Sequence, residues 1–443
     1  MRSHVTDGDH RLSMWRRVRE FAVPPSMIET ATARRTVGDW AGACAAARVD
    51  ADVDLCAARQ VHGRELAARL RADLRHLAPD LLRWHLPRVA PIGRLRPGLT
   101  VSLARYPSAA GGEVQLVART APAWAAAGQR IGLTLWDGTR RGDHLQPPPD
   151  RRFRLDLHRH LWHARHTSEL PMRSGVDSWL SGLGDSTGQL PRGCAAHRWA
   201  AEAALLRCAE GRPDAPVLIR LGGRRRLILA TDSDAPRALS GQPSTRLPVL
   251  PDAATWALPD LLLLRAGLIS AGRLHPLVAA ALAPYLAQAD ESGRPDPPSG
   301  WPLVECDGST HRIGLVDGVL APLDHDPDEL RREELLVALG GTPLPCLRVI
   351  DEANRDPVQL NEIRPRLDHG DVAGALAAVE GLLGPDAVLR DGALRDELAT
   401  VAAGQVTAGL YRAGLTGRGP LKFPPTTTPR ERRTAARRRC RTR

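Results

Sequence analysis

The chain has 443 residues, of which 43% are hydrophobic and 25% charged, and its formal net charge is +11. This length suffices for two or three domains, and the hydrophobic share is that of an ordinary globular protein. No apolar run approaches the ~20 residues needed to span a bilayer, and the charged N-terminus has no apolar signal segment. We therefore expect a cytoplasmic protein without a membrane span.

The first 90 residues are predicted to be entirely helical. Leu66, Leu70 and Leu74 recur at helical spacing, and Pro79 ends that helix. Further helices are expected before Pro24 and between residues 26 and 47, where Gly38 breaks the pattern.

Four runs between residues 99 and 160 alternate apolar and polar residues. Such alternation buries one face of a strand and leaves the other in water, which is typical of an antiparallel sheet. We therefore predict four antiparallel strands in this region. Their apolar positions are Val101 and Leu103; Val114 and Leu116; Ile131, Leu133 and Leu135; and Phe153, Leu155 and Leu157.

The second half of the chain has a mixed pattern. Two β-rich runs flank Gly222, and residues 301–320 predict a second hairpin. Helices are expected over residues 252–288 and again over 357–415. Asp326, followed by proline and then by glutamate at the third helical position, marks the start of another helix.

These patterns together predict an α+β fold with a helical N-terminal segment, a central antiparallel sheet and a C-terminal mixed α/β part that ends in helices. The predicted divisions are a helical segment 1–95, a sheet region 96–166, a hairpin with helices 167–290, a linker 291–300, a C-terminal domain 301–415 and a basic tail 416–443.

One short sequence occurs twice. Residues 38–46 read GDWAGACAA and residues 370–378 read GDVAGALAA, so seven of nine positions agree. The pattern predicts a helical hairpin, in which glycine ends one helix and aspartate caps the next, and it resembles a tetratricopeptide-like turn. Because there are two copies, without a repeat period between them, in a chain rich in alanine and glycine, we attribute the match to coincidence.

The composition excludes several chemistries. The chain has a single lysine, Lys422, so the predicted folded body has no Walker A, kinase or Schiff-base lysine. Its seven cysteines form no C-x-x-C pair, which favours reduced thiols over a disulfide framework or a zinc site. The excess of arginine over lysine resembles that of actinobacterial proteins from GC-rich genomes, and no motif matches a characterised family.

The densest group of candidate ligands is a histidine run over residues 156–166, DLHRHLWHARH. On a strand, Asp156, His158 and His160 would share one face and so form a candidate metal site. The opposing interpretation is that these polar residues alternate with buried apolar ones and simply face water. Since no glutamate follows at the spacing found in cupins, we favour the second interpretation and expect no bound metal or cofactor.

Three further motifs fail on their context. Residues 184–188 match G-x-S-x-G, but no buried strand precedes them. Residues 50–54 match the first EF-hand ligand positions, but leucine follows where glycine is required. Residues 324–326 carry acid–base side chains, but the last of them is the predicted helix cap.

The net charge is concentrated at the C-terminus. Residues 412–443 hold eleven basic residues and one acidic residue, which account for +10 of the net +11. We expect the tail after residue 415 to be disordered, and polyanion binding is one interpretation of its charge. The candidate contact residues are Arg430, Arg432, Arg433, Arg437, Arg438, Arg439, Arg441 and Arg443.

Three functional hypotheses follow. The first, which we favour, is a non-enzymatic accessory or scaffold protein that acts through protein–protein contacts. The second is a nucleic-acid-associated protein that binds through its tail. The third is a metal-dependent enzyme that uses the histidine run. The sequence leaves the substrate, the partner and the oligomeric state open.

Overall fold

The structure is a computed structural model, and it describes residues 11–109, 111–138, 147–176, 190–222, 225–231, 236–238, 247–290, 303–306, 309–316, 319–322, 326–339, 344–345, 347–348, 358–383 and 392–415. Residues 11–22 are helical, with a π-helical last turn at Val18–Ala22. The other helices are α1 (Pro25–Thr36), α2 (Trp40–Ala46), α3 (Leu55–His62), α4 (Arg64–Arg75), α5 (Pro79–His85), α6 (Leu170–Ser174), α7 (Trp199–Ala209), α8 (Asp252–Thr255), α9 (Pro259–Arg265), α10 (Pro276–Asp290), α11 (Pro327–Ala338), α12 (Val358–Asp368), α13 (Val372–Leu383) and α14 (Ala393–Arg412).

The strands are β1 (Val49–Asp52), β2 (Arg88–Val89), β3 (Arg94–Leu95), β4 (Thr100–Pro107), β5 (Glu113–Thr120), β6 (Ile131–Trp136), β7 (Val217–Arg220), β8 (Arg226–Leu229), β9 (Arg237–Ala238), β10 (Leu303–Cys306), β11 (Ser309–Val316) and β12 (Val319–Pro322). The predicted α+β fold is confirmed. No helix of the described residues is long and apolar enough to cross a membrane.

The main sheet has the strand order β1-β6-β5-β4. The three strands β4, β5 and β6 are antiparallel, as three of the alternating runs predict. The fourth strand, β1, lies within the predicted helical segment and runs parallel to β6, with Val49 opposite Ile131. The prediction that the first 90 residues are all helical is therefore wrong at β1, because this short strand is defined by its distant partner and not by a local pattern. It is also wrong at β2, which pairs antiparallel with β3.

The prediction of a strand over residues 153–157 is also wrong. Leu155–Leu157 and Arg159–Leu161 form 3₁₀ turns, and an isolated bridge between Arg154 and Ser102 is the pairing that joins this segment to β4. The residues between the apolar ones are not in water, since Arg154 is buried and His158 and His160 are fully buried. Both faces of the segment are enclosed by protein, so the alternation does not divide it into a solvent-exposed face and a buried face.

One hydrophobic core joins the helices to the main sheet. It includes Leu70 of α4, Trp84 of α5, Leu103 of β4, Leu133 of β6 and Val278 of α10. Residues from the three segments predicted over 1–290 thus pack together. A second, smaller core lies between α7 and the sheet of β7, β8 and β9.

Several local predictions are confirmed. Strands β7 and β8 pair antiparallel around the turn that begins at Gly222, and β10, β11 and β12 form an antiparallel sheet. Asp326 caps α11 by accepting a hydrogen bond from the main-chain nitrogen of Asp328 at 3.0 Å. Both copies of the repeated sequence form helical hairpins, one from α1 and α2 and the other from α12 and α13.

Candidate functional site

A cavity of about 410 Å³ lies where the N-terminal helix, the end of α5, the segment 152–155 and α8 meet. Its volume falls within the range of pockets that hold small organic molecules. The lining residues are Arg11, Met14, Trp15, His85, Leu86, Pro87, Arg88, Ala90, Arg96, Arg152, Phe153, Arg154, Leu155, Leu161, Pro191, Arg192, Leu221, Asp252, Ala253, Trp256, Ala257, Leu258 and Pro259.

The charge of this lining is strongly one-sided. Six arginines face a single carboxylate, Asp252. Arg152 is paired with Asp252 at 2.5 Å, and Arg154 is held by Asp156 at 2.7 Å and by Glu210, which both lie outside the lining. The lining as a whole has six arginines to one carboxylate, an excess of positive charge that favours an anionic occupant.

Among these residues, Arg88 gives the strongest evidence for an anionic occupant. It is half-buried, and its terminal nitrogens donate to the main-chain oxygens of Gly93 at 3.0 Å and Arg83 at 2.6 Å. Burial lowers the pKa of Arg88 to about 9, and no carboxylate of the described residues offsets this loss of hydration. The fully buried Arg83 next to it also donates to main-chain oxygens, those of Ala22 and Gln129. The fully buried Arg83 and the half-buried Arg88 therefore both lack an acidic partner among the described residues.

Aromatic rings hold three of the arginines in place. The guanidinium carbon of Arg11 lies 4.3 Å from the ring centre of Trp256, and those of Arg96 and Arg152 lie 5.7 Å and 5.4 Å from Phe153. A guanidinium over a ring keeps its N–H donors in its own plane, where they can bind a carboxylate, as Arg152 binds Asp252, or a phosphate. The wall therefore combines oriented donors with apolar surface.

Two other groups of the lining titrate. Burial lowers the pKa of His85 to about 4, so this imidazole is neutral at pH 7. Burial raises the pKa of Asp252 above its ordinary value, although Arg152 acts in the opposite direction. His85 is thus uncharged at neutral pH, and Asp252 is held in an ion pair with Arg152.

The histidine run has a structural arrangement of its own. His158 contacts the main-chain oxygen of Arg154 through Nδ1 at 3.0 Å and Glu202 through Nε2 at 3.1 Å. Glu202 also accepts two hydrogen bonds from Arg173, both at 2.8 Å. Burial would raise the pKa of Glu202, but the hydrogen bonds from His158 and Arg173 hold it below its ordinary value. This network joins α6 and α7 to the 3₁₀ turns.

The carboxylate of the predicted triad is directed elsewhere. Asp156 pairs with Arg154 at 2.7 Å and with Arg105 at 3.0 Å, so it does not join His158 and His160. Burial lowers the pKa of His160 well below its ordinary value, helped by the neighbouring His158. In the part of the chain that the structure describes, no three His, Cys, Asp or Glu side chains are grouped as metal ligands are. The expectation of no bound metal stays a prediction.

The remaining motifs fall in different places. The EF-hand-like residues lie on and after β1, where Asp50 pairs with Arg130 at 2.5 Å and with Arg412 at 2.9 Å. Asp326 acts as the expected helix cap. The G-x-S-x-G sequence at residues 184–188, the linker 291–300 and the arginines of the tail from Arg430 to Arg443 lie outside the described residues.

The cavity has no signature in the sequence. Its lining comes from several separate segments, so no local motif connects Arg88 with Trp256 or Asp252. In a chain where nearly every basic residue is arginine, arginine content carries no site signal either. No protein-family model matches the chain, and comparisons with curated proteins and with solved structures give no match.

Proposed function

We propose that this chain is a non-enzymatic accessory protein that binds a small organic anion in the arginine-lined cavity. The observation that carries the proposal is the wall of six arginines and one carboxylate, in which the half-buried Arg88 has no acidic partner among the described residues. A buried charge is stable when a counter-charge is close, so an anionic group beside Arg88 offsets the unfavourable loss of hydration.

The apolar part of the lining supports an organic ligand over a bare inorganic ion. Trp15, Phe153 and Trp256 offer ring surface, and Leu155 and Leu258 add aliphatic surface. Ligand pockets commonly combine such surface with a few oriented polar groups. A planar ring that carries a phosphate or carboxylate satisfies both parts of this lining.

Three related probes test the proposal: phenyl phosphate, phenol and inorganic phosphate. Because Trp15 and Trp256 line the cavity, binding is followed through intrinsic tryptophan fluorescence and confirmed by calorimetry. We expect phenyl phosphate to bind more tightly than either phenol or inorganic phosphate. Arg96→Met and Arg88→Met should each weaken phenyl phosphate binding about tenfold or more, as expected for the loss of a charge-assisted hydrogen bond.

Arg59→Met is the matched control, since it removes the same charge from an exposed position on α3. It should leave the affinity unchanged. Equal binding of phenyl phosphate and phenol, or equal losses in Arg59→Met and Arg96→Met, would contradict an anion site in this cavity.

A second candidate function rests on the charge of the tail. The tail and the end of α14 carry +10 of the net +11, and this density suits nucleic acid or an acidic protein. We propose that any nucleic-acid affinity of the chain resides in Arg430–Arg443 and their neighbours, independently of the cavity.

A further inference from the structure

An edge cavity of about 510 Å³ lies beside β4, the outer strand of the main sheet. Its wall is formed by β4 at residues 104–106, by one face of α4 and by the 3₁₀ turns that follow Arg154. Among the described residues, Arg154 alone belongs both to this wall and to that of the arginine-lined cavity. The two cavities are therefore separate candidate sites.

The register of β4 shows which main-chain groups face the edge cavity. Ser108 donates its main-chain N–H to the oxygen of Gly112 at 3.1 Å, and Tyr106 stands opposite Val114. In an antiparallel pair, alternate residues direct their N–H and C=O groups toward the neighbouring strand, so Tyr106 faces β5 and Arg105 faces the open edge. In the described part of the chain, the main-chain N–H and C=O of Arg105 have no hydrogen-bond partner on this edge.

Another part of the same edge is paired with the protein's own chain. Asp150 donates its main-chain N–H to the oxygen of Thr100 at 2.9 Å, and Arg154 forms a parallel bridge with Ser102. The segment then turns into a 3₁₀ helix at Leu155–Leu157 and leaves the strand. The remainder of the β4 edge is thus not covered by this segment, and the edge cavity lies beside that remainder.

Charged pairs surround the open edge. The wall of the edge cavity has four arginines and three carboxylates, and each carboxylate is paired with an arginine of the same wall. The pairs are Asp73 with Arg159 at 2.5 Å, Asp156 with Arg154 at 2.7 Å and with Arg105 at 3.0 Å, and Glu113 with Arg105 at 3.5 Å. The acidic groups therefore already have counter-charges, and the arginines outnumber them.

Two of these arginines have donors that their pairs do not use. In the part of the chain that the structure describes, Arg69 makes one hydrogen bond, to Glu65 at 2.6 Å, and Arg159 makes one, to Asp73. A guanidinium has five N–H donors, so both side chains can bind a further carboxylate. The buried Tyr106 also donates to Asp73, at 2.6 Å, and so helps to hold the Arg159 pair in place.

We propose that the edge cavity binds the C-terminal residues of an extended peptide from a partner protein. The peptide pairs with the main chain of Arg105, where the protein's own segment has left β4. Because Arg154 already pairs with Ser102, an added strand stops there, which favours a chain end over an internal segment. The excess of arginine and the unused donors of Arg69 and Arg159 favour a carboxylate end over an amino end.

Two matched pools of acetylated tetrapeptides, random at every position, test the chemistry of the peptide end. One pool ends in a free carboxylate and the other in an amide. The full-length chain is immobilised, and the retained peptides are quantified by mass spectrometry. We expect peptides with a carboxylate to be retained about tenfold more than their amide counterparts, because the amide loses a charge-assisted hydrogen bond.

The best-retained carboxylate peptide and its amide are then compared by calorimetry on variants. The double variant Arg69→Met with Arg159→Met should bind the two peptides equally. The matched control is Arg64→Met with Arg71→Met, because both of these arginines are exposed on α4 outside the wall of the edge cavity. The control should keep the preference for the carboxylate.

The main-chain pairing is tested at Arg105. Arg105→Pro removes the N–H that faces the cavity and leaves the pairing with β5, since proline is tolerated on the open side of an edge strand. Arg105→Val loses the same side chain but keeps the N–H. We expect the proline variant to bind the carboxylate peptide about fivefold more weakly than the valine variant, as for one lost hydrogen bond.

Three results overturn the proposal. The first is equal retention of the two pools, which is measured on the wild-type chain and so does not depend on the folding of a variant. The second is a carboxylate preference that survives in Arg69→Met with Arg159→Met. The third is equal peptide affinity in Arg105→Pro and Arg105→Val, which would show that no strand is added to β4.

Discussion

Glu202 offers the sharpest test of how burial sets the strength of an ion pair in this protein. Its side chain is 4% exposed, accepts two hydrogen bonds from Arg173 and lies 3.1 Å from Nε2 of His158. Glu202→Gln keeps the shape of the side chain but leaves the guanidinium of Arg173 buried without its counter-charge. Breaking one side of a buried pair costs about 3–5 kcal/mol, so the variant should lose about that much of its free energy of unfolding.

The chain contains a control with the same geometry at the surface. Arg364 donates to the two oxygens of Glu397 at 2.9 Å and 3.0 Å, but its side chain is 72% exposed. Water already solvates both groups of this exposed pair, so Glu397→Gln should change the free energy of unfolding little. Urea unfolding, followed by tryptophan fluorescence and circular dichroism, measures both variants.

The effect of Glu202→Gln should also depend on pH. The folded protein holds the pKa of Glu202 below its ordinary value of 4.5, so the carboxylate stabilises the fold above that value. As the pH falls from 4.5 toward the lowered pKa, the unfolded chain binds a proton at this position while the folded protein does not, so the wild-type protein should progressively lose its advantage over the variant. A free-energy difference that stays constant from pH 7 to pH 3, or one as small as that of Glu397→Gln, would refute the reasoning.

Three further predictions concern other parts of the chain. In urea unfolding, Gly370→Ala should destabilise the protein by at least ~1 kcal/mol more than Gly38→Ala. Both glycines have a positive φ, but of the two only Gly370 lies against a neighbouring main-chain carbonyl. Equal losses in the free energy of unfolding would contradict close packing at Gly370. Elemental analysis after chelator-free purification should find no stoichiometric metal, and zinc, iron or manganese that is lost in His158→Ala with His160→Ala would contradict this. The full chain should bind DNA with a binding constant whose logarithm falls with the logarithm of the salt concentration, with a slope of roughly −0.9 per phosphate contact, and truncation after Leu415 should abolish this binding. Unchanged binding after truncation would place the site on the rest of the chain.

Elements with a complete local signal were predictable from the sequence. The start of α11 is specified by consecutive residues, since Asp326 supplies the cap and proline fits the first helical position. The hairpin at Gly222 has the same property, because a short glycine turn joins two β-rich runs. Strands β4, β5 and β6 follow one another in the chain and form an antiparallel sheet, so alternation was enough to identify them.

Elements defined by distant partners were not predictable. Strand β1 has four residues and pairs with β6, which begins at Ile131, so its identity depends on a contact between remote parts of the chain. The segment around Arg154 has the alternation of a strand without being one, because Arg154 is buried and paired with Asp156 and Glu210. Alternation predicts a half-exposed strand only when the polar residues are solvated.

Because nearly every basic residue is arginine, arginine content does not mark the cavity in the sequence. Burial in the structure distinguishes the arginines that indicate a site. A compositional bias can place arginine on an exposed surface, where the side chain is solvated and costs little. It does not account for Arg83 and Arg88, because an enclosed guanidinium without a carboxylate partner is held at the expense of its hydration. Arg83 is fixed between the main-chain oxygens of Ala22 and Gln129, and Arg88 lines the cavity beside it. Arg88 carries positive charge that is costly to bury and lies at the wall of a cavity of about 410 Å³, so an anionic ligand bound there would turn a destabilising element into a stabilising one.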